Sequence, residues 1–489
     1  MVKMFNLRRS KLVLLTPLVA LALLSLAWLQ LNRKTYRPQF PLIKPLANDS
    51  TTPPPNTVSP GYQPGLIEFW DTLSQALIET APKCSLPPEP IQAPINSFAN
   101  VKKGFNYRPD LLKLPEQDVD DLRDAHSRFV AKLPELALHL PYAKGTKGIV
   151  TTASGDFVPI LMVSLRMLRR TGSKVPVEVL MERDDEKTEI CESILPKLNA
   201  RCLILSEIFD AIPPKVEISR YQLKAFAMLF SSFDEILLLD ADNLAMEQPE
   251  HLLSTEPFVS KGFVSWPDYW ANTASPHYYT ISSQHMPSPD KRASSESGQF
   301  LISKTLHTPT LLLLLYYNYY GPTHYYTLLS QGAMGQGDKE TYLAAAMALN
   351  SSYYTVAMNV ATLGFRFSNE HEFKGCGTVQ HNPLLDYSFR ELHNTTITEA
   401  AIKNAPSFIH AQTYKMDASQ IGDTFGAEIN MRMWGPKEGI MEKFGRDVEK
   451  EVWSETLYTG CQLENSFRAW ENKTGVCKRI GGVYKFLFD

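Results

Sequence analysis

The chain has 489 residues, 49 Lys plus Arg against 52 Asp plus Glu, and a formal net charge of −3. A charge so near zero excludes a basic nucleic-acid binder, and 44% hydrophobic residues exclude global disorder. Six cysteines in this length do not make a disulfide scaffold, and a single long apolar run excludes a polytopic membrane protein.

That run, Leu12 to Leu31, carries no charge and has about the length that crosses a hydrocarbon core. Lys3, Arg8, Arg9 and Lys11 precede it, Arg33, Lys34 and Arg37 follow, and Trp28 lies near one end. It reads as a signal anchor (12–31) behind a short cytoplasmic tail (1–11). The competing reading is a signal peptide cleaved near Ala20-Leu21-Ala22, which would cut an apolar run that continues to Leu31. Either way the remainder enters the secretory lumen.

Residues 32–100 are expected to be a lumenal stem. Between Pro38 and Pro94 lie 13 of the 34 prolines, and proline fixes φ and removes a donor. One short helix is expected within it, at Leu66 to Ile78 with Trp70. Asn48, Asn350, Asn394 and Asn472 each open a glycosylation acceptor sequence. Cys461 and Cys477 are the most plausible disulfide pair by proximity; connectivity as such is not readable from sequence.

Residues 101–489 are expected to form one α/β domain, in which strand and helix alternate from about residue 146. Gly148–Thr152 reads as a strand, with Asp156 capping a helix of apolar positions Phe157, Ile160, Leu161, Leu165 and Leu168. Strands come next at Pro176–Met181 and Cys202–Leu205, with a charged helix at Asp184–Leu198 between them. A mostly apolar helix is expected at Ile218–Phe233, then the strand Ile236–Leu239. This alternation predicts a mostly parallel sheet covered on both faces, with ligands at the carboxyl ends of its strands. The last 70 residues read as a packed tail finishing the domain.

Asp240 and Asp242 directly follow that last strand. Alternate residues of an extended segment point the same way, so both carboxylates can converge on one hard cation, Mn²⁺ or Mg²⁺. No Walker-type or GxGxxG loop is present, so a nucleotide diphosphate would need the metal for neutralisation. A second Asp-x-Asp, at Asp118 and Asp120, lies in a charged helix-like stretch and reads as a solvated face. Arg220 and Lys224 are four apart, share a helix face on this reading, and could reach the phosphates. Trp266, Asp268 and Trp270 combine apolar faces for stacking on a sugar with a carboxylate for its hydroxyls; core packing is the alternative. Tyr316, Tyr317, Tyr319, Tyr320, Tyr325 and Tyr326 flank Leu311–Leu315 and belong to a core helix and its exit.

The run from Tyr221-Gln222-Leu223-Lys224 to Asp240-Ala241-Asp242-Asn243 resembles the fungal Golgi α-mannosyltransferases that build and branch mannan. The likeness continues through Trp266-Pro267-Asp268-Tyr269-Trp270, Glu296-Ser297-Gly298-Gln299 and Gly337-Asp338-Lys339-Glu340-Thr341, in the family's order, and spans roughly 148–417. The resemblance implies a GT-A type fold behind a single transmembrane helix and stem, in a type II protein of the Golgi membrane. It implies GDP-mannose as donor, Mn²⁺ (or Mg²⁺) as cofactor and a mannan or N-glycan acceptor, with partner glycosyltransferases as a further candidate association. On this reading Asp240, Asp242 and His410 are metal ligands, and Asp240, Asp242 and Asp338 carry catalysis. Arg220, Lys224 and Asn243 bind donor, while Trp266, Asp268, Trp270, Gln299 and Glu340 bind acceptor. The expected activity is metal-dependent, retaining α-1,2-mannosyl transfer. Alternatives are α-1,3 transfer, a UDP-sugar donor, or a non-catalytic mannan-binding protein with a degenerate domain. A front-face route needs no protein nucleophile; Asp338 or Asp268 as base or nucleophile is the competing mechanism.

Overall fold

A computed structural model describes residues 61–86, 91–103, 108–183, 187–213, 216–218, 220–367, 372–425 and 429–489. The expected cytoplasmic tail and signal anchor and the first part of the expected stem lie outside these residues. Among the described residues, no helix is long and apolar enough to cross a membrane.

A seven-stranded sheet has the order β3-β2-β1-β4-β7-β6-β8. Its strands are β1 (Ala143–Thr152), β2 (Val177–Met181), β3 (Ala200–Ile204), β4 (Phe233–Leu239), β6 (Phe263–Ala271), β7 (Ala293–Ser303) and β8 (Tyr354–Thr355). The pairs β3–β2, β2–β1, β1–β4 and β6–β8 are parallel; β7 runs antiparallel between β4 and β6. The expected mostly parallel sheet is therefore present. A second, four-stranded antiparallel sheet has the order β5-β11-β10-β9, from β5 (Asn243–Ala245), β9 (Ala361–Phe365), β10 (Lys374–His381) and β11 (Pro406–His410).

The β4 strand shows why the main sheet is internal. Leu237 and Leu239 belong to one apolar cluster, Ile236 and Leu238 to the other, so the alternation of side chains feeds two cores. One face is covered by helices Glu116–His139, Gln222–Phe230 and Lys304–Tyr319. The other is covered by Phe157–Arg170, the second sheet and the terminal helices Val448–Gln462 and Val476–Phe488. The expected packed tail is thus part of the core, and Cys461 and Cys477 are bridged within it. Cys191 and Cys202 form a second disulfide. Tyr316, Tyr317 and Tyr325 are fully buried, as expected of a core helix and its exit.

Four expectations need correction. The folded body starts well before residue 101: helix Leu66–Glu79 packs Phe69, Trp70 and Leu73 into the same core as β4. Trp70 stacks on Phe209 with ring centroids 4.7 Å apart, burial that a free stem does not offer. Asp156 has helical φ/ψ and its side chain makes no capping hydrogen bond. The charged segment forms a π-helix, Lys187–Ile194, and a 3₁₀ turn, Leu195–Leu198, where Pro196 has no amide to continue the ladder. The apolar helix begins only at Gln222, because Arg220 sits at φ 52° in the left-handed region.

Lys304 is fully buried, and its ammonium donates to the carbonyls of Leu229 and Ser231. Burial pulls its pKa from 10.5 down to about 7, with Glu178 and Asp234 offsetting part of the effect. Between those values the unfolded chain binds the proton and the folded chain does not, so stability rises with pH across this window. Denaturant midpoints measured from pH 7 to 10 should rise in the wild type, with a flatter profile in Lys304→Met.

Candidate metal and sugar-nucleotide site

The buried strand β4 ends at Leu239, and the chain turns there because Asn243 N–H donates to the Asp240 carbonyl at 3.0 Å. Asp240 is anchored by its own N–H on the Gly298 carbonyl at 2.9 Å. The chain then enters β5, which pairs with β11 in the register Asn243↔His410. Joining the ends of the two sheets in this way brings together Asp240, Asp242 and His410. One ligand atom from each lies within 4.8 Å of the others. His410 Nε2 is 3.0 Å from Asp242 Oδ1 and 3.9 Å from Asp240 Oδ2.

The groups around this trio are charged, and Lys224, Asp338 and Glu296 among them are buried. Lys224 Nζ is 2.9 Å from Asp240 and 3.2 Å from Asp338 Oδ2. Asp338 also accepts from Tyr342 Oη at 2.7 Å and is 3% exposed. Lys415 Nζ donates to Asp242 Oδ2. His410 Nδ1 faces Glu296 Oε1 at 3.2 Å, and Glu296 Oε1 also accepts from the Gly298 amide at 2.8 Å. Burial opposes the charge of His410, but Asp242 and Glu296 outweigh it and raise its pKa well above the ordinary value. Burial likewise pushes Asp242 up, yet His410 and Lys415 hold it below the usual carboxylate range. The Glu296 carboxyl is held at about 2, against its own burial, chiefly by His410. Burial lifts Asp240, and Lys224 and His410 pull the other way.

Two carboxylates and an imidazole suit a divalent cation such as Mn²⁺ or Mg²⁺. The site also reserves space for the histidine. A Cβ on Gly298 would fall 2.4 Å from His410 Nδ1, so glycine is required for the ring to reach this position. A protonated His410 and the Lys415 ammonium are the positive charges now facing Asp242. Metal ligation requires the imidazole proton to leave, so any such binding is coupled to proton release.

The other expected residues divide. Asp268 lies at the rim, paired with Lys339 at 2.7 Å. Trp270 is partly exposed beside Tyr269, 45% exposed, and their rings meet edge to face at 5.0 Å. This pair offers an aromatic surface. Trp266 does not: it is 0% exposed, donates its indole N–H to the His381 carbonyl at 2.9 Å and packs edge-on against Phe408. Gln299 is also 0% exposed and Asn243 2%; the Asn243 amide donates to Gln299 Oε1 and the Gly298 carbonyl, both at 2.6 Å. Both side chains are buried away from the surface, where together they tie the end of β4 to β7, with Asn243 Oδ1 and Gln299 Nε2 left without hydrogen-bond partners among the described residues. Glu340 is 3% exposed and binds Arg292 at 2.9 Å, Asn272 Nδ2 at 2.7 Å and the Ser295 amide. It braces β7 rather than facing an acceptor. Arg220 is exposed and outside the helix that carries Lys224, so the two do not share a face. Asp120 is exposed and paired with Arg123, as a solvated helix face requires.

Trp266→Ala should therefore lower stability by about 3–5 kcal/mol, the usual cost of emptying a large aromatic site. Trp270→Ala should leave the unfolding midpoint nearly unchanged and raise the KM for acceptor. Thermal unfolding and acceptor titrations of both variants check the contrast.

Glu296 and Lys415 are site residues that the sequence alone did not single out. Glu296 lies in the Glu296-Ser297-Gly298-Gln299 motif, and the glycine two residues later was the available signal of a close approach. For Lys415, 173 positions from Asp242, there was no local signal.

Residues 146–382 match a family model described as "Mannosyltransferase putative". The chain is 32% identical to alpha-1,2-mannosyltransferase MNN21 of Candida albicans, over 86% of this chain and 74% of that protein. It is 33% identical to alpha-1,2-mannosyltransferase MNN5 of Saccharomyces cerevisiae (65% of this chain, 66% of that protein). It is 36% identical to alpha-1,2-mannosyltransferase MNN24 of Candida albicans (58% and 45%). Among solved structures, the galactosyltransferase LgtC is similar with a TM-score of 0.28 and 13% identity over 42% of this chain and 73% of that one, too distant to assign equivalent residues.

Proposed function

The chain belongs to this family of fungal α-1,2-mannosyltransferases and is a glycosyltransferase, and from that premise we propose that it transfers mannose from GDP-mannose to a mannan or N-glycan mannoside, forming an α-1,2 bond with retention. The observation that carries the reading is the convergence of Asp240, Asp242 and His410 at the carboxyl end of an internal strand. We assign the domain to the GT-A type, on its parallel half-sheet ending in a carboxylate pair beside an antiparallel β7. Asp240, Asp242 and His410 would hold Mn²⁺ or Mg²⁺, which supplies Lewis-acid stabilisation of the leaving diphosphate. A cavity of about 620 Å³ lies at the same edge of the sheet, lined by Glu182 and Arg183 after β2 and Leu205 and Ser206 after β3. Its position supports it as the place for the nucleoside.

Within this proposal each residue has a task. Lys224 sets the distance between Asp240 and Asp338. Glu296 orients His410 through Nδ1. Asp268, Tyr269 and Trp270 present the rim to the acceptor. Asp338 and Asp268, the candidate protein nucleophiles, are both already engaged by lysines. That engagement supports the front-face route, in which a leaving phosphate oxygen takes the acceptor hydroxyl's proton.

Location is part of the proposal: a type II Golgi membrane protein with its catalytic domain in the lumen. Two disulfides suit an oxidising compartment. The acceptor asparagines within the described residues, Asn350, Asn394 and Asn472, are all exposed. The test is incubation with GDP-mannose, Mn²⁺ and a small α-mannoside, followed by linkage determination. An α-1,2 product is expected. Absence of transfer under all metal conditions would overturn the enzyme reading, and an α-1,3 product would overturn the linkage alone.

A further inference from the structure

A second cavity, of about 640 Å³, opens at the opposite end of the antiparallel sheet. In the β10–β11 register Thr378 pairs with His410, whereas His381 pairs with Pro406. The cavity at His381 is therefore displaced from the metal end by roughly 10 Å along β10. Lys102, His381, Arg390, Lys403 and Lys443 line it, from five different elements. Against these stand two carboxylates, Glu399 and Glu442, both exposed.

The charge within it is incompletely matched. Arg390 is 3.2 Å from the buried Asp386, and Glu399 is 3.8 Å from Arg390 and 3.9 Å from Lys403. Lys443 has no carboxylate partner among the described residues, and burial alone pulls its pKa down. Lys102 rests its ammonium 4.8 Å above the Phe98 ring. His381 is 1% exposed, and burial together with the nearby Lys443 pushes its pKa down to about 4, so it lines the cavity as a neutral ring. The Lys443 ammonium is therefore left in the cavity without a carboxylate counter-charge among the described residues.

We infer that this cavity binds a phosphate group, carried on a sugar or free, at a site separate from the donor site. A phosphomonoester brings a charge of about −1.5 to −2 and three acceptor oxygens, which suits several cations better than a single carboxylate does. The cavity also has room for more than the anion, within the ~300–1,000 Å³ of ordinary small-molecule sites. The sugar half of the inference rests on the proposed mannoside acceptor; the phosphate half does not.

The test is calorimetric titration of the full chain with mannose 6-phosphate, inorganic phosphate and mannose, in EDTA so that the Asp240–Asp242 site carries no cation. Both phosphate probes should bind and mannose should not, and the tighter phosphate probe names the source. Lys443→Gln with Lys403→Gln should weaken binding about tenfold or more, the loss expected for charge-assisted contacts. Lys102→Gln, at an exposed position, should weaken it independently, so a folding defect cannot account for both. Transfer to a neutral α-mannoside should be unchanged in both variants. No binding of either phosphate probe, equal binding of mannose, or unaltered phosphate affinity in the variants would overturn the site. Binding with no transfer by wild type would instead count against the enzyme reading alone.

Discussion

Asp242→Asn should cut mannose transfer by roughly a thousandfold or more while leaving the fold in place. The substitution keeps the shape of a side chain that is 5% exposed but removes the charge that His410 and Lys415 both face. Loss of one anionic ligand removes several kcal/mol of charge stabilisation at the leaving diphosphate, and about 4 kcal/mol corresponds to that factor. Asn in place of Asp leaves the buried His410 and the half-buried Lys415 short of one counter-charge, so a modest drop in the unfolding midpoint is also expected. Calorimetric Mn²⁺ titration separates the effects: the variant should be folded by circular dichroism and bind Mn²⁺ far more weakly. Wild-type transfer and Mn²⁺ affinity in Asp242→Asn would remove the metal site and, with it, the main support for the proposed mechanism.

The placement of Asp242 was legible in the sequence for a physical reason. Four consecutive apolar β-formers cannot stand at a sheet surface, and an internal parallel strand delivers the residues after it to the ligand edge. The decoy at Asp118 and Asp120 was legible for the converse reason, since it lies in a charged helix whose buried face is carried by Val119 and Leu122 while Asp120 is exposed. Burial of particular aromatics was not legible. Trp266 and Trp270 differ by four positions on one strand, yet the first is in the core and the second at the rim. Their separation arises where the β6–β7 register shifts between Trp266–Pro267 and Ala271, a bulge that composition does not announce. Glu340 and Gln299 were misread for a related reason: polar residues in a sugar-binding motif look like contacts, but here they satisfy buried amides and a guanidinium. The second sheet escaped because β9 and β10 are glycine-containing and antiparallel, without the helix that marks a parallel crossover.

Glu296→Gln should weaken Mn²⁺ binding by about 10- to 100-fold, the usual cost of losing the group that orients a ligating histidine. The carboxylate meets His410 Nδ1 at 3.2 Å while Nε2 faces Asp242, so Glu296 fixes both the ring's direction and which nitrogen is left to ligate. Glutamine can still accept one hydrogen bond but carries no charge to polarise the imidazole, and Gln412, which donates to Glu296 Oε2 at 3.2 Å, then faces an amide. The effect should appear as a shift in the Mn²⁺ concentration for half-maximal transfer, with much of kcat recovered at saturating metal. Asp242→Asn, by contrast, should not recover, because it removes a ligand rather than the support of one. A purely structural role for Glu296 would lower kcat and the unfolding midpoint together, without moving the Mn²⁺ dependence. That split between metal affinity and turnover distinguishes a positioning carboxylate from a brace between β7 and β11.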